Sequence, residues 1–233
     1  MTTQTLFPLP QPLTLPVVGE TAEFPVHRIF CVGRNYAEHA REMGVEVDRE
    51  SPFYFQKAML AAVPSGTTLP YPPGTSNLHY EMELVVAIGR ATFQTTVEDA
   101  PNVVYGYATG LDMTRRDLQQ VAKDKRHPWD LGKDFEGGAV LAPITKAADF
   151  GPVVAQRIAL EVNGDVRQDA HLSDLVWSIP EIIAHLSGFY HLVPGDLIFT
   201  GTPAGVGPVV AGDRLVGTID GLFPVELTLG PAE

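Results

Sequence analysis

The sequence predicts an α+β fold dominated by strands, a mixed β-roll or distorted β-barrel with peripheral helices. Three observations carry this expectation. Short apolar runs recur along the chain, separated by turns rich in glycine, proline and aspartate. The few helix-like stretches do not alternate regularly with them, which argues against a doubly wound sheet. Asn163-Gly164 lies between the runs Ile158 to Val162 and Val166 to Gln168, the strongest short-range signal of a hairpin.

Taken in order, residues 1–26 carry five prolines and no clear period, and read as an extended arm packed on the surface or on a partner subunit. The catalytic domain is expected over residues 27–233. Ile29 to Val32 is a short buried strand. Asn35 can cap a helix, Tyr36 to Met43, that stops at Gly44. Phe53 to Phe55 is strand-like, and Pro64 to Pro73 reads as loop and turn. Glu83 to Ile88 is the strongest apolar strand and Val103 to Leu111 is another. Thr114 and Asp117 stand in capping-box positions for a helix reaching about Lys125. Pro180 to Ser187 is helical, with proline in the first turn. Leu197 to Thr200, Arg214 to Ile219 and Pro224 to Leu229 complete the strands.

The composition narrows the function classes. Hydrophobic residues make up 45% of the 233 and charged residues 19%, a globular mixture with enough chain for one sizeable core. The net charge of -12 would repel nucleic acid. Cys31 is the single cysteine, in an apolar run, so no intrachain disulfide is expected. No stretch reaches the roughly 18 to 20 apolar residues of a membrane span, and no leader pattern opens the chain. A cytoplasmic location is expected.

The segment His79 to Gly89 is the most informative. Glu81 and Glu83 are two apart, so on a strand they share a face. Two carboxylates side by side near a core repel each other and lose hydration. A divalent cation removes both penalties, and oxygen-only ligands favour Mg²⁺, Mn²⁺ or Ca²⁺ over Zn²⁺. A half-exposed strand edge would carry the same pattern. Asp112, at a strand-to-helix junction, offers a third carboxylate, although a plain turn residue would look alike. His39 and Glu42, three apart on the short helix, are neighbours in which a carboxylate can orient a general base. A surface pair has the same spacing. Lys133, within an aromatic and glycine run, is a candidate to hold a substrate carboxylate. The turn Thr200 to Gly207 can present N–H groups to an oxyanion, but lacks the Lys-Ser/Thr ending of a Walker loop. His79 is placed to support the glutamates. His171, His185 and His191 have no such neighbour.

Together these pieces resemble the fumarylacetoacetate hydrolase family. The matching stretches are Cys31 to His39, His79 to Gly89, Gly110 to Gln119, Pro128-Trp129 with Gly132-Lys133, Asn163-Gly164 with Arg167-Gln168, Trp177 to Ile183, and Pro194 to Gly207. The resemblance implies a single-domain mixed β-fold of that family's C-terminal-domain type and a homodimer. It implies Mg²⁺ or Mn²⁺ (Ca²⁺ in vitro) held by Glu81, Glu83 and Asp112, with His39 and Glu42 on a helix that closes over the substrate. Arg116, Gln119, Lys133 and Thr202 match positions that line the family's substrate pocket. Within the family the chain is most similar to the short bacterial fumarylpyruvate hydrolases of gentisate breakdown. It departs in having Lys57-Ala58 where relatives have Lys-Pro, and in the acidic run after Lys133.

The activity implied is hydrolysis of the C–C bond of an acylpyruvate, a small diketo acid, with fumarylpyruvate the leading substrate. Arg34 and Arg41 are candidates to receive its second carboxylate. The same site would suit an oxaloacetate decarboxylase or tautomerase. From another class, a catalytically silent metal-stabilised binding module would keep the carboxylates but would not need His39, Glu42 and Lys133.

Overall fold

The computed structural model describes residues 5–8, 13–42, 44, 49 and 51–232. Strands dominate it, as expected. The central sheet is mixed and eight-stranded. Across it run Phe53–Lys57, Ile29–Gly33, Leu197–Phe199, Met82–Ile88, Val104–Asp112, Ala139–Leu141 and Ala62–Pro64, with Thr145–Lys146 flanking Val104–Asp112. A five-stranded sheet carries, in order, Asp165–His171, Arg157–Val162, Arg214–Ile219, Val225–Ala232 and Thr67–Tyr71.

Alternation along Met82–Ile88 explains both the core and the site. Met82, Leu84, Val86 and Ile88 enter the larger apolar cluster, where they meet Ile158, Leu160, Leu215 and Leu227 of the second sheet. Val85 and Ala87 point the other way, into a smaller cluster with Ile29, Cys31, Leu141 and Phe199. A strand covered on both faces reads as continuously apolar. The smaller cluster takes the odd positions, so Glu83 and Glu81 prolong that face where the strand begins. The apolar packing ends there and the polar site starts.

Register completes the arrangement. Glu83 lies opposite Gly110, and the Asp112 N–H donates to the Glu81 carbonyl at 2.9 Å. Gly110 is needed at its position. A Cβ there would lie 2.6 Å from Val85 Cγ2 and 2.8 Å from the Phe199 ring.

The Asn163-Gly164 hairpin forms as expected, with φ of 54° and 87°. That is the left-handed pair a tight two-residue turn requires. Thr67–Tyr71 is a strand, where the prolines suggested a loop. It lies at the edge of its sheet, paired on one side only, and an edge tolerates proline. The short helix is Ala37–Glu42; Met43, its expected last residue, lies outside the described residues.

Two expected caps are not formed. Asn35 braces two loops instead, donating to the carbonyls of Thr200 and Trp177 and accepting from the Trp177 N–H. Thr114 is in a two-residue strand paired with His79, and its hydroxyl donates to the Asp112 carbonyl. The helix Arg116–Lys125 therefore begins with no side-chain cap. Within the N-terminal segment, Thr14–Leu15 pairs with Phe24–Pro25, and Leu15, Val17, Phe24 and Val26 join the smaller cluster.

Gly110→Ala should lower stability by about 1–3 kcal/mol, the usual effect of overpacking, in a urea titration. A variant as stable as wild type would show that the sheet has room at this position.

Candidate active site

Three acidic side chains converge where the two central strands meet. One oxygen each from Glu81, Glu83 and Asp112 lies within 4.8 Å of the others, and all three residues are buried. Lys133, on the short helix Asp130–Lys133, donates from Nζ to Glu81 Oε2 at 2.7 Å and to Asp112 Oδ2 at 2.8 Å. Arg116, the first residue of its helix, donates to Glu81 Oε1 at 2.7 Å and to Gln119 Oε1 at 2.7 Å. Lys57 Nζ stands 2.8 Å from Asp112 Oδ1 but off the hydrogen-bonding direction, so this buried oxygen accepts no hydrogen bond. Among the described residues no cation bonds Glu83. It accepts from the Gly201 N–H at 2.7 Å.

The electrostatics differ sharply among the three. Burial pushes the Glu81 carboxyl up, but Lys133 and then Arg116 outweigh it and hold the group below the usual carboxylate range. Burial, then Asp112 and Glu81, push Glu83 well above that range. Burial opposes the Lys133 charge, yet Asp112 and Glu81 more than compensate and raise its pKa. A divalent cation fits this donor set. The donors are hard oxygens, Asp112 Oδ1 accepts no hydrogen bond, and the crowded Glu83 carboxyl would gain a counterion.

His39 faces this cluster from the helix Ala37–Glu42 and is buried. Its Nδ1 lies 3.3 Å from Glu42 Oε2, and the Glu42 oxygens accept from the Gly205 N–H at 3.2 and 3.1 Å. A carboxylate can only accept, so Nδ1 carries the hydrogen and Nε2 is left free as a base. Burial lowers the His39 pKa, and Glu81 and Glu42 offset this only in part. Thr202 is buried and accepts from Gln168 Nε2 at 2.8 Å; Gln168 Oε1 in turn accepts from the Met82 N–H. Gln168 thus ties the Thr200-to-Gly207 turn to the strand that carries the glutamates.

A cleft of about 140 Å³ joins these parts. His39, Glu81, Glu83, Arg116, Gln119, Lys133, Thr202 and Arg34 all line it. Asp112 and Glu42 do not reach its wall; they stand behind Lys133 and His39. Arg41 is excluded from the site, because it is exposed and paired with Glu38. His79 bonds Asn77 rather than a glutamate, and burial and then Arg116 push its pKa down to about 4. Among the other histidines, His185 meets the Tyr54 hydroxyl and His191 stacks on Phe93.

Sequence reasoning missed four residues. Lys57 and Gln168 sat inside noted motifs, but their reach across the fold is not visible in one dimension. Lys123 and Trp129 also line the cleft; Lys123 follows Gln119 by one helical turn, which was the available signal.

The model of the fumarylacetoacetate hydrolase C-terminal domain matches residues 28–229. The chain belongs to the fumarylacetoacetate hydrolase family. Among its relatives, fumarylpyruvate hydrolase from a Ralstonia species is 55% identical over 194 residues, covering 82% of this chain and 100% of the relative. Oxaloacetate tautomerase from Escherichia coli is 38% identical over 204 residues, covering 87% and 93%. Among solved structures, fumarylpyruvate hydrolase from Pseudomonas aeruginosa in complex with Mn²⁺ and pyruvate is similar at a TM-score of 0.94 and 46% identity, over 98% of this chain and 100% of that one. The fold of this family member is strand-dominated, and none of its described helices is long and apolar enough to cross a membrane.

Calorimetric titration with Mn²⁺ should find one site per chain, with protons released on binding and affinity rising with pH, because the raised Glu83 carboxyl must ionise to bind. Glu83→Gln should weaken binding by at least about tenfold, the usual effect of disturbing a metal site. Unchanged affinity would remove Glu83 from the ligand set.

Proposed function

We propose that this chain hydrolyses the C–C bond of an acylpyruvate, with fumarylpyruvate the leading substrate and gentisate-type aromatic breakdown its setting. As an enzyme it is a hydrolase of carbon–carbon bonds. One observation carries the finer reading: His39, backed by Glu42, shares a single cleft with the buried Glu81 and Glu83. The 55% identity to a fumarylpyruvate hydrolase supports it.

Glu81, Glu83 and Asp112 would hold Mg²⁺ or Mn²⁺, which when bound supplies Lewis acidity toward the 2-oxo acid end and stabilises enolate charge. The other roles belong to the chain's own side chains. His39 Nε2 takes a proton from a water that attacks the distal carbonyl carbon. Glu42, fixed by Gly205, keeps the ring in the tautomer that allows this. The bond between that carbonyl and the methylene then breaks, its electron pair leaving with the pyruvate end as the enolate. The proton held on His39 returns to the methylene carbon, giving pyruvate and the free acid. Lys133 has one hydrogen left beyond Glu81 and Asp112, and would donate it to a substrate oxygen. Thr202 would hold the pyruvyl end. The assembly expected from the family is a homodimer, which should run at twice the chain mass in light scattering.

Oxaloacetate tautomerisation is the second reading, favoured by the 38% identity to a tautomerase. It and oxaloacetate decarboxylation need chelation and proton transfer but no attacking water.

His39→Ala should therefore lower acylpyruvate cleavage by about 10² to 10⁴, followed as loss of diketo-acid absorbance, while any oxaloacetate decarboxylation survives better. Cleavage within a few-fold of wild type would make decarboxylation or tautomerisation the main activity. Glu42→Gln removes a group that raises the His39 pKa. The acid limb of its kcat/KM profile should accordingly move to lower pH as the maximum falls. An unmoved limb would mean that His39 is not the titrating base.

A further inference from the structure

The cleft is graded in charge. Its inner end holds the buried Glu81 and Glu83, with Lys133 and Arg116 committed to carboxylates. Its outer end holds two basic side chains from different elements: Arg34, exposed just after Ile29–Gly33, and Lys123, half-buried on the helix Arg116–Lys125. Among the described residues neither has an acidic partner. The ion pairs there take in Arg28, Arg41, Arg49 and others, but not these two.

That absence has to be weighed against the overall charge. The chain has 28 acidic residues to 16 basic ones, and among the described residues ten of the sixteen basic side chains lie in ion pairs. Yet Arg34, Arg116, Lys123 and Lys133 share one small cleft, with Lys57 directly behind it. The crowding registers on Lys123 itself, whose ammonium is pushed down to about 8 by burial and then by Arg116 and Arg34. The Lys123 Nζ sits over the Trp129 ring, 5.2 Å from its centroid, which steers it along the cleft wall. Arg34 holds a φ of 60°, a conformation that residues other than glycine rarely adopt. Two cations held in this way, without an acidic partner among the described residues, form a receptor for an anion supplied by the ligand.

We propose that Lys123, with Arg34, receives a second carboxylate at the far end of the substrate, so that the cleft selects dicarboxylic over monocarboxylic 2-oxo acids. The inference rests on the functional reading above and assigns its specificity. The inner end takes the 2-oxo acid group, and the outer pair measures off the chain between the two carboxylates. Lys123 is a specificity residue here, distinct from the groups that act on the reacting bond.

The test is equilibrium binding to the Mn²⁺-loaded protein of two ligands that cannot be cleaved, 2-oxoheptanedioate and 2-oxoheptanoate. They match in length and differ only in the distal carboxylate. Wild type should prefer the dioate by about 10- to 100-fold, the range for a charge-assisted hydrogen bond. Lys123→Met should bring that ratio close to one, and Lys123→Arg should keep most of it. A merely structural role would weaken both ligands together and leave the ratio standing. A wild-type protein without the preference, or a Lys123→Met variant that keeps it within twofold, would overturn the proposal. Cleavage of fumarylpyruvate by the same wild-type preparation is read separately. Its absence would count against the functional reading, while the binding ratio would still decide the role of Lys123.

Discussion

Three carboxylates on one face of a buried sheet repel each other, and the polar architecture of this protein answers that repulsion. Glu81 and Glu83 share a face because strands alternate, and Asp112 joins them because its strand pairs antiparallel at that register. Lys133 bonds two of the three and Arg116 one. Such a buried ionic cluster is a weak source of stability, because desolvation offsets much of the attraction. A cluster so placed in a cleft is better accounted for by a function than by stability. Glu83, the member left without a bonded cation, shows where the balance is unfinished.

The fold supplies precision from apolar packing. Two clusters sandwich the central sheet, so the positions of the glutamates follow from those of Met82, Leu84 and Val85. The second wall is tied to the first by polar braces. Asn35 links the start of the His39 helix to Thr200 and Trp177. Gln168 holds the turn bearing Thr202, and Gly205 on that turn holds Glu42. His39 and the carboxylates thus belong to one connected scaffold, although they lie far apart in sequence.

Much of this was legible in one dimension. The period-two pattern showed Glu81 and Glu83 sharing a face, and Asn163-Gly164 marked its hairpin. Family motifs linked the carboxylates to His39, Glu42 and Lys133. What escaped was set by tertiary context. Asn35 and Thr114 have good capping chemistry, but partners across the fold claim the Asn35 side chain and strand pairing with His79 claims Thr114. Pro70 suggested a loop because the sequence does not reveal that its strand lies at a sheet edge. Lys57 and Lys123 have no spacing that marks a site, since only folding buries one behind Asp112 and brings the other over Trp129.

The central claim is that Glu81, Glu83 and Asp112 bind one divalent cation opposite His39. The most direct measurement is a crystal structure of the Mn²⁺-loaded protein with anomalous data at the manganese edge. The predicted result is a single strong peak per chain, with one oxygen from each of the three carboxylates at roughly 2.0–2.6 Å, the range for hard divalent cations, and His39 outside the coordination sphere. A peak elsewhere, or one coordinated by fewer than two of the three, would contradict the account.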